Sequence, residues 1–355
     1  PARPRVQRWR VGIQRQLGTD MVAEVAYTGS SADRMPVSVR RDPLPETYWA
    51  TGQVRNDALA TNLNANVTNP FQISAFASMR QSDPVLYQQM STLSFFTSQT
   101  IRRNQLLRQF PQMNGLYQAN FPGGKLYSNA LELQFTRRFS GGFNLNLVYT
   151  ETRAYQNTFI ADEFALPSEY LPTQNARPHR LTGTGIFEVP FGKGRHFWEN
   201  GPLSWVFGGW QVSATYEWQP GSLLQWPNLF YYGDPKNYVQ DIRVGSPSIN
   251  QWFNTAKFER QPSKAPASFH RRVFPYVIEG LRGPGMDMWQ SNIIREFRLR
   301  EGVTLEFRVD ALNLANHSQF TNPNTTPTST NFGRLTALWG ESIQRSYQIQ
   351  ARVRF

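Results

Sequence analysis

An adjacent acidic pair and a few histidines are the residues of this sequence that could take part in chemistry. Asp162 and Glu163 lie in a polar segment, and paired carboxylates can serve as general acid and base. However, no second carboxylate cluster accompanies them, and the four histidines of the 355-residue chain are scattered, without the spacing of metal ligands. Cysteine is absent, which excludes thiolate nucleophiles and disulfide bonds. We therefore predict no catalytic residues, no metal site and no cofactor.

The carboxyl-terminal residues 347–355 show most clearly what kind of element this sequence builds. Apolar and polar side chains alternate there with a period of two, which predicts a β-strand and excludes a helix. A soluble sheet would bury the apolar face, whereas a membrane barrel turns it toward lipid and turns the polar face toward a wet lumen. The aromatic carboxyl terminus also resembles the insertion signal of bacterial outer-membrane barrels, here Tyr347, Ile349, Val353 and Phe355.

The same alternation recurs along the whole chain in pairs of segments. Tight turns at Gly18, Gly141 and Gly302 join most pairs, and one pair has the longer link 190–209. We count about nine strands, each close to the roughly 9–11 residues that cross a bilayer at a tilt. Since outer-membrane barrels have short turns on one side and long loops on the other, we place the short turns on the periplasmic side. The predicted extracellular loops are about 29–126, 156–178, 221–288 and 315–346.

Alternation assigns a set of charged side chains to the barrel lumen. They could bind substrate, or they could pair with one another and with a plug domain, and we expect pairing because charges inside a barrel must be solvated or paired. Aromatic residues cluster near the strand ends, which favours an interfacial girdle over the core of a soluble β-sandwich. The predicted lumen-facing residues are Glu132, Arg138, Glu188, Glu217, Glu306, Arg308, Asp310 and Arg352.

Composition narrows the class of protein further. Aromatic residues make up 14% of the chain and charged residues 17%, and the mean hydropathy is −0.52. The sequence has no apolar run of the roughly 18 residues that a membrane helix requires, so we exclude a helical membrane protein. The net charge is +12, but lysine and arginine form no compact block, and we expect no nucleic-acid binding.

Short motifs along nearly the whole chain, in order, resemble TonB-dependent outer-membrane receptors, specifically the Oar-like group. Two of them are Arg177-Pro-His-Arg180 and Val189-Pro-Phe-Gly-Lys-Gly-Arg195. Each motif is weak alone, and the ordered set is specific. The other matching segments are 9–17, 24–29, 127–135, 209–211, 308–317 with Phe320, and the terminal strand.

The resemblance implies that residues 1–355 form the C-terminal portion of a transmembrane antiparallel β-barrel of about 22 strands. Such receptors enclose an N-terminal plug and take up large or scarce nutrients (peptides, proteins or oligosaccharides) with energy that reaches a TonB box from an inner-membrane complex. The plug, the TonB box and the earlier strands are missing here. Because about nine strands cannot close such a barrel in lipid, we expect a piece of a longer protein.

The resemblance also implies a location and partners. The expected location is the outer membrane of a Gram-negative bacterium. Expected partners are outer-membrane lipid and lipopolysaccharide, the protein's own plug and remaining strands, the TonB complex through the missing N-terminal region, and the barrel-assembly machinery. Three alternatives stay open: a surface structural or adhesion protein that displays long loops, an outer-membrane enzyme, and a soluble all-β carbohydrate-binding protein.

Overall fold

Antiparallel strands joined by turns and long connections make up most of the chain. The computed structural model describes residues 3–113, 115–167, 170–173, 177–195, 197–340 and 344–355. The strands are β1 (Arg5–Leu17), β2 (Met21–Arg40), β3 (Asn66–Thr68), β4 (Thr100–Arg102), β5 (Tyr117–Ser140), β6 (Phe143–Gln156), β7 (Leu171–Pro172), β8 (His179–Glu188), β9 (Trp210–Gln219), β10 (Leu223–Gln225), β11 (Val277–Arg282), β12 (Met286–Arg300), β13 (Val303–Leu312) and β14 (Ser346–Arg354).

Short helices lie in the connections. None of the described helices is both long and apolar enough to cross a membrane. The helices are α1 (Asp57–Asn64), α2 (Met79–Ser82), α3 (Pro84–Met90), α4 (Ser94–Thr97), α5 (Arg103–Leu106), α6 (Pro202–Phe207) and α7 (Tyr238–Ile242), with 3-10 turns at Glu46–Tyr48, Ile73–Phe76 and Pro235–Asn237.

Nine long strands form one sheet in the order β1-β2-β5-β6-β8-β9-β12-β13-β14, and the short β7 is a tenth strand beside β6. Each long strand pairs antiparallel with the long strand that follows it in the chain, so the sheet is a meander. Within the described residues, β1 and β14 each have one neighbour and form the two edges. The predicted class, an all-β antiparallel barrel segment of about nine strands, is confirmed.

The three tight turns form where the sequence predicts them because each needs glycine. Gly18, Gly141 and Gly302 have φ angles of +68°, +60° and +75°, which are left-handed conformations that a residue with a Cβ rarely adopts. Such turns match the twist of the strands they join and set the pairing register. The pairing of β1 with β2 accordingly runs without a slip from Leu17–Met21 to Arg5–Asp33.

The register sorts apolar side chains onto one face of the sheet, the apolar face. Directly paired residues share a face, and one row crosses six strands through Phe143, Phe187, Val212, Ile293, Val309 and Ile349. Many of these side chains are uncovered: Ile13 on β1 is 77% exposed and Ile349 on β14 is 69% exposed. The prediction of an apolar face turned outward, rather than packed in a dry interior, therefore fits the structure.

The buried core lies mainly in the long connections. The segment between β9 and β12 folds around an aromatic cluster, to which the segment between β13 and β14 contributes Phe332. We call residues 220–285 and 315–340 the loop domain. Trp226 lies at its centre, with ring centroids 5.0 Å from Phe253 and 5.6 Å from Phe274. The buried members are Leu224, Trp226, Leu229, Tyr231, Ile242, Phe253, Phe258, Phe274, Ile278, Leu281 and Phe332.

β2 and β5 differ most from the sequence prediction because they run beyond the bilayer-crossing length. They contain 20 and 24 residues, and their pairing continues, with register shifts, to Arg40–Tyr117. The connection between them is therefore 41–116, shorter than the predicted 29–126. Apolar alternation weakens after Gly29 because only a strand in lipid needs it, whereas backbone pairing can continue outside. The predicted loops 156–178 and 315–346 also include residues 168–169, 174–176 and 341–343, which lie outside the described residues.

Candidate functional site

The polar face of the sheet, opposite the apolar face, carries the charges that the sequence assigns to a lumen. Glu132 is paired with Thr150, and Thr150 is paired with Arg180 on β8, so these three side chains share a face. Thr182, two residues after Arg180 on β8, is paired with Glu217 and lies on that face too. Register and strand alternation therefore bring the whole predicted set to one face: Glu132, Arg138, Glu188, Glu217, Glu306, Arg308, Asp310 and Arg352.

Arg10 links three strands on this polar face. Its Nη2 atom lies 2.7 Å from Oε1 of Glu24 on β2 and 3.0 Å from Oε1 of Glu132 on β5. Each partner is partly exposed, so water screens the attraction within each pair. One guanidinium is thus shared by two carboxylates, so the cluster keeps a net negative charge.

Ion pairs also hold most of the other predicted residues. Arg180 Nη2 on β8 lies 2.8 Å from Glu217 Oε1 on β9, and Arg308 Nη2 lies 2.7 Å from Oδ1 of Asp310 on the same strand. These charged side chains thus pair with one another, both across strands and along one strand. The remaining pairs on the polar face are Glu188 with Arg195, and Arg354 with both Glu296 and Glu306.

Two predicted residues, Arg138 and Arg352, differ from the rest. Both side chains are exposed, and neither makes an ion pair with another described residue. Arg352 lies opposite Glu306, whose carboxylate is held by Arg354 instead. These two guanidinium groups are therefore the members of the predicted set that could meet a group outside the described chain.

The acidic pair Asp162-Glu163 has a structural environment. Glu163 Oε2 lies 2.9 Å from Nη1 of Arg40 at the end of β2, and its Oε1 lies 3.0 Å from Nη2 of Arg108. Arg40 also pairs with the fully buried Asp42 at 3.1 Å. Asp162 accepts a hydrogen bond from the backbone N–H of Arg272 at 3.0 Å. The two carboxylates thus connect three different loops. Sequence reasoning missed these partners because they lie far away along the chain.

A second polar cluster ties together the loop domain. Asp241 accepts a hydrogen bond from the Tyr231 hydroxyl at 2.8 Å and pairs with Lys257 Nζ at 2.8 Å. The Lys257 ammonium and then the Tyr231 hydroxyl lower the pKa of Asp241 below its ordinary value. Burial, reinforced by Asp241, raises the pKa of Tyr231. Both shifts favour the charged carboxylate and the neutral phenol that form this hydrogen bond.

The insertion-signal residues predicted from the terminal strand lie at one edge of the sheet. Tyr347 and Ile349 are paired with Ala311 and Val309 of β13 and so lie on the apolar face. Phe355 follows the last strand residue and is 96% exposed. Among the described residues, no group of three or more His, Asp or Glu side chains is arranged to hold a metal ion.

A protein-family model identifies this arrangement. The model described as "Outer membrane beta barrel domain" matches residues 1–350 of the chain. The chain belongs to this outer-membrane β-barrel family. The predicted outer-membrane location is confirmed. Barrels in that membrane turn an apolar band toward lipid, so we assign the apolar face of the barrel domain to the lipid side.

The chain is also similar, at low identity, to solved outer-membrane proteins. The outer membrane transporter YddB from Escherichia coli is 11% identical with a TM-score of 0.42, and the match covers 99% of this chain and 32% of that chain. The pyoverdine outer membrane receptor FpvA from Pseudomonas aeruginosa is 9% identical with a TM-score of 0.40, covering 99% and 30%. The barrel domain thus spans about a third of these chains. No curated protein matches it.

One further feature of the barrel domain was missed in the sequence. Arg295 on β12 is paired with Trp210 and Phe307, so it belongs to the apolar face, yet it is only 6% exposed. Its guanidinium donates to the backbone carbonyls of Trp205 and Val206 at the end of α6 and lies 4.1 Å from the ring centroid of Phe297. Unpaired carbonyls at a helix C-terminus favour a cation. Arg295 thus holds α6 against the lipid-facing side, near the short turns.

Proposed function

We propose that this chain forms barrel wall and extracellular loops of a TonB-dependent outer-membrane receptor of the Oar-like group. The receptor takes up a large or scarce nutrient, a peptide, protein or oligosaccharide, through a plugged barrel and performs no covalent chemistry. The observation that supports the proposal is a β-sheet with one apolar and one polar face, joined to a folded loop domain. Its apolar face suits lipid, most charges on its polar face are paired, and the loop domain can capture a ligand before it enters.

The polar face also supports a plug as partner. Arg138 and Arg352 lie on that face without an ion-pair partner in the described chain, and a plug that offers carboxylates there would complete their pairing. We propose that the full-length protein supplies this plug and the remaining strands and contacts the TonB complex through its N-terminal region. The terminal strand, which ends in Phe355, is the segment that the barrel-assembly machinery recognises in this proposal.

Transport is tested with the full-length protein in its native outer membrane. Cells with and without the receptor gene are given labelled peptide, protein and oligosaccharide mixtures, before and after deletion of the TonB complex. We expect receptor-dependent surface binding in both backgrounds and uptake only where the complex is present. Receptor-dependent binding without energy-dependent uptake of any class would rule out transport.

Surface display is the second candidate, because the loop domain has its own aromatic core and is therefore a folded unit that a barrel could present. Display predicts that adhesion to host or neighbouring cells requires the receptor and is unchanged when the TonB complex is deleted. A full-length sequence without a plug and TonB box would favour display. The same adhesion assay, run in the two genetic backgrounds above, separates these functions.

A further inference from the structure

A cavity lies where the extracellular ends of β9 and β12 meet the loop domain. Its volume is about 230 Å³, enough for one side group of a larger ligand rather than for the whole ligand. Amide and hydroxyl groups, two aromatic rings and one cation line it together. The lining includes Arg177, Gln219, Ser222, Gln319, Asn322 and Trp339.

Arg177 gives this cavity a positive charge that no described carboxylate compensates. Its Nη1 atom is buried and has no hydrogen-bond partner among the described residues. Burial lowers the pKa of Arg177, and no carboxylate of the described chain acts against that shift. A desolvated cation without a counter-ion is costly, so the folded chain here retains a charge that an incoming anion would stabilise.

A second arginine adds to the positive potential. Arg282 on β11 donates from Nη1 to the carbonyl oxygen of Gly221 at 3.1 Å, next to the cavity residue Ser222. Burial lowers the pKa of Arg282, and the charge of Arg177 lowers it further. The charge of Glu279 raises the pKa of Arg282. Glu279 and Arg282 both line a neighbouring cavity. The described residues that line the cavity of Arg177 include no acidic side chain.

We propose that this cavity binds the carboxylate of an acidic sugar unit in an oligosaccharide ligand, a deeper form of the transport proposal on which it rests. Arg177 pairs with the carboxylate through charge-assisted hydrogen bonds. The amide of Gln219 and the hydroxyl oxygen of Ser222, whose proton is donated to Asn322 Oδ1 at 2.9 Å, offer polar partners to the ring hydroxyls of a sugar. The Trp339 ring offers an apolar surface to the sugar face. A bare inorganic anion would use the guanidinium and leave the amides and the ring without a role.

Binding to the full-length protein in detergent tests this proposal without any transport step. Calorimetric titration compares a trimer of galacturonic acid with the galactose trimer of the same linkage. We expect the acidic trimer to bind at least roughly tenfold more tightly, the size of a charged hydrogen bond in affinity. Failed uptake with intact binding would count against transport alone, so the two proposals can fail separately.

Arg177→Met keeps the length of the side chain and removes its charge, and we expect it to abolish the preference for the acidic trimer. Because the native guanidinium has a buried nitrogen without a partner, the Tm should not fall. Arg334→Met is the matched control, since Arg334 is exposed in the loop domain and bonds to Asn250 away from the cavity. It should bind both trimers like the native protein.

Three results would overturn the proposal: equal binding of the two trimers, an unchanged preference in Arg177→Met, or Arg177-dependent binding of a peptide carboxyl terminus in place of the sugar acid. If Arg177→Met does not fold, the proposal is tested on the native protein by measuring how its preference for the acidic trimer depends on salt concentration. A preference for the acidic trimer that weakens with ionic strength supports the proposal, and a salt-independent one contradicts it.

Discussion

Replacing Leu133 by arginine would measure directly what surrounds the apolar face. Leu133 lies in the middle of β5, paired with Val25 and Tyr149, and its side chain is 40% exposed. It lies six residues from Tyr127 on the extracellular side and six from Phe139 beside the short turn. Six residues rise about 14 Å along the membrane normal at roughly 3.3 Å per residue and a tilt near 45°. Tyr127 and Phe139 then lie near the two interfaces and Leu133 near the bilayer centre.

An arginine at that depth in a lipid-facing position costs about 2–4 kcal/mol. On a water-exposed sheet the same change would stay within about 0.5 kcal/mol. The matched control is Gln134→Arg, one residue along the strand on the polar face. Because Gln134 is paired with Glu24, the new cation faces a carboxylate, and its cost should stay below about 1 kcal/mol.

Guanidinium titration of the full-length protein in vesicles, followed by tryptophan fluorescence, measures both variants against the native protein. We expect Leu133→Arg to shift the unfolding midpoint strongly and Gln134→Arg to shift it little. A spin label at each position gives a second measurement, the collision accessibility of the label. We expect apolar oxygen to relax the label at 133 more strongly, and a polar paramagnetic reagent to relax the label at 134 more strongly. Equal losses of unfolding free energy for the two substitutions, or access of the polar reagent to the label at position 133, would refute the lipid-facing assignment.

Three other changes address the loops and the periplasmic end. Trp226→Ala should cost the loop domain about 3–5 kcal/mol because it empties the aromatic core, seen as faster hydrogen exchange in 220–285 with the strands unchanged. Arg295→Leu should speed exchange in α6, because the Trp205 carbonyl loses its Arg295 donor and the Val206 carbonyl keeps only Trp210 Nε1; unchanged exchange would mean that packing alone holds this helix. The lowered pKa of Asp241 stabilises the loop domain above the ordinary value of 3.8, and this contribution is lost as pH falls through the folded-state pKa. Asp241→Asn should flatten that acid dependence in thermal unfolding, and an unchanged curve would contradict it.

The nine-stranded sheet was predictable from the sequence because patterns among neighbouring residues determine its strands and turns. Alternation with a period of two gives the strands and their faces, and glycine at the turns Gly18, Gly141 and Gly302 sets where they reverse. Register then follows without knowledge of distant residues. This is why all eight predicted charges, from Glu132 to Arg352, fall on one face.

The loop domain and its contacts were not predictable because they depend on pairings between distant residues. Phe332 joins a core built around Trp226 from another segment, and Glu163 meets Arg40 and Arg108 across two loops. No periodicity marks such contacts. Arg295 left a weak local signal, a cation at an apolar position followed by Phe297, whose meaning required the position of α6.

The extended pairing of β2 with β5 has a mechanical consequence. Their backbone pairing continues to Arg40–Tyr117 without an intervening loop, and Arg40 forms an ion pair with Glu163 at the outer end. A load applied to the outer end of this ribbon is therefore shared by many backbone hydrogen bonds in shear rather than broken one at a time.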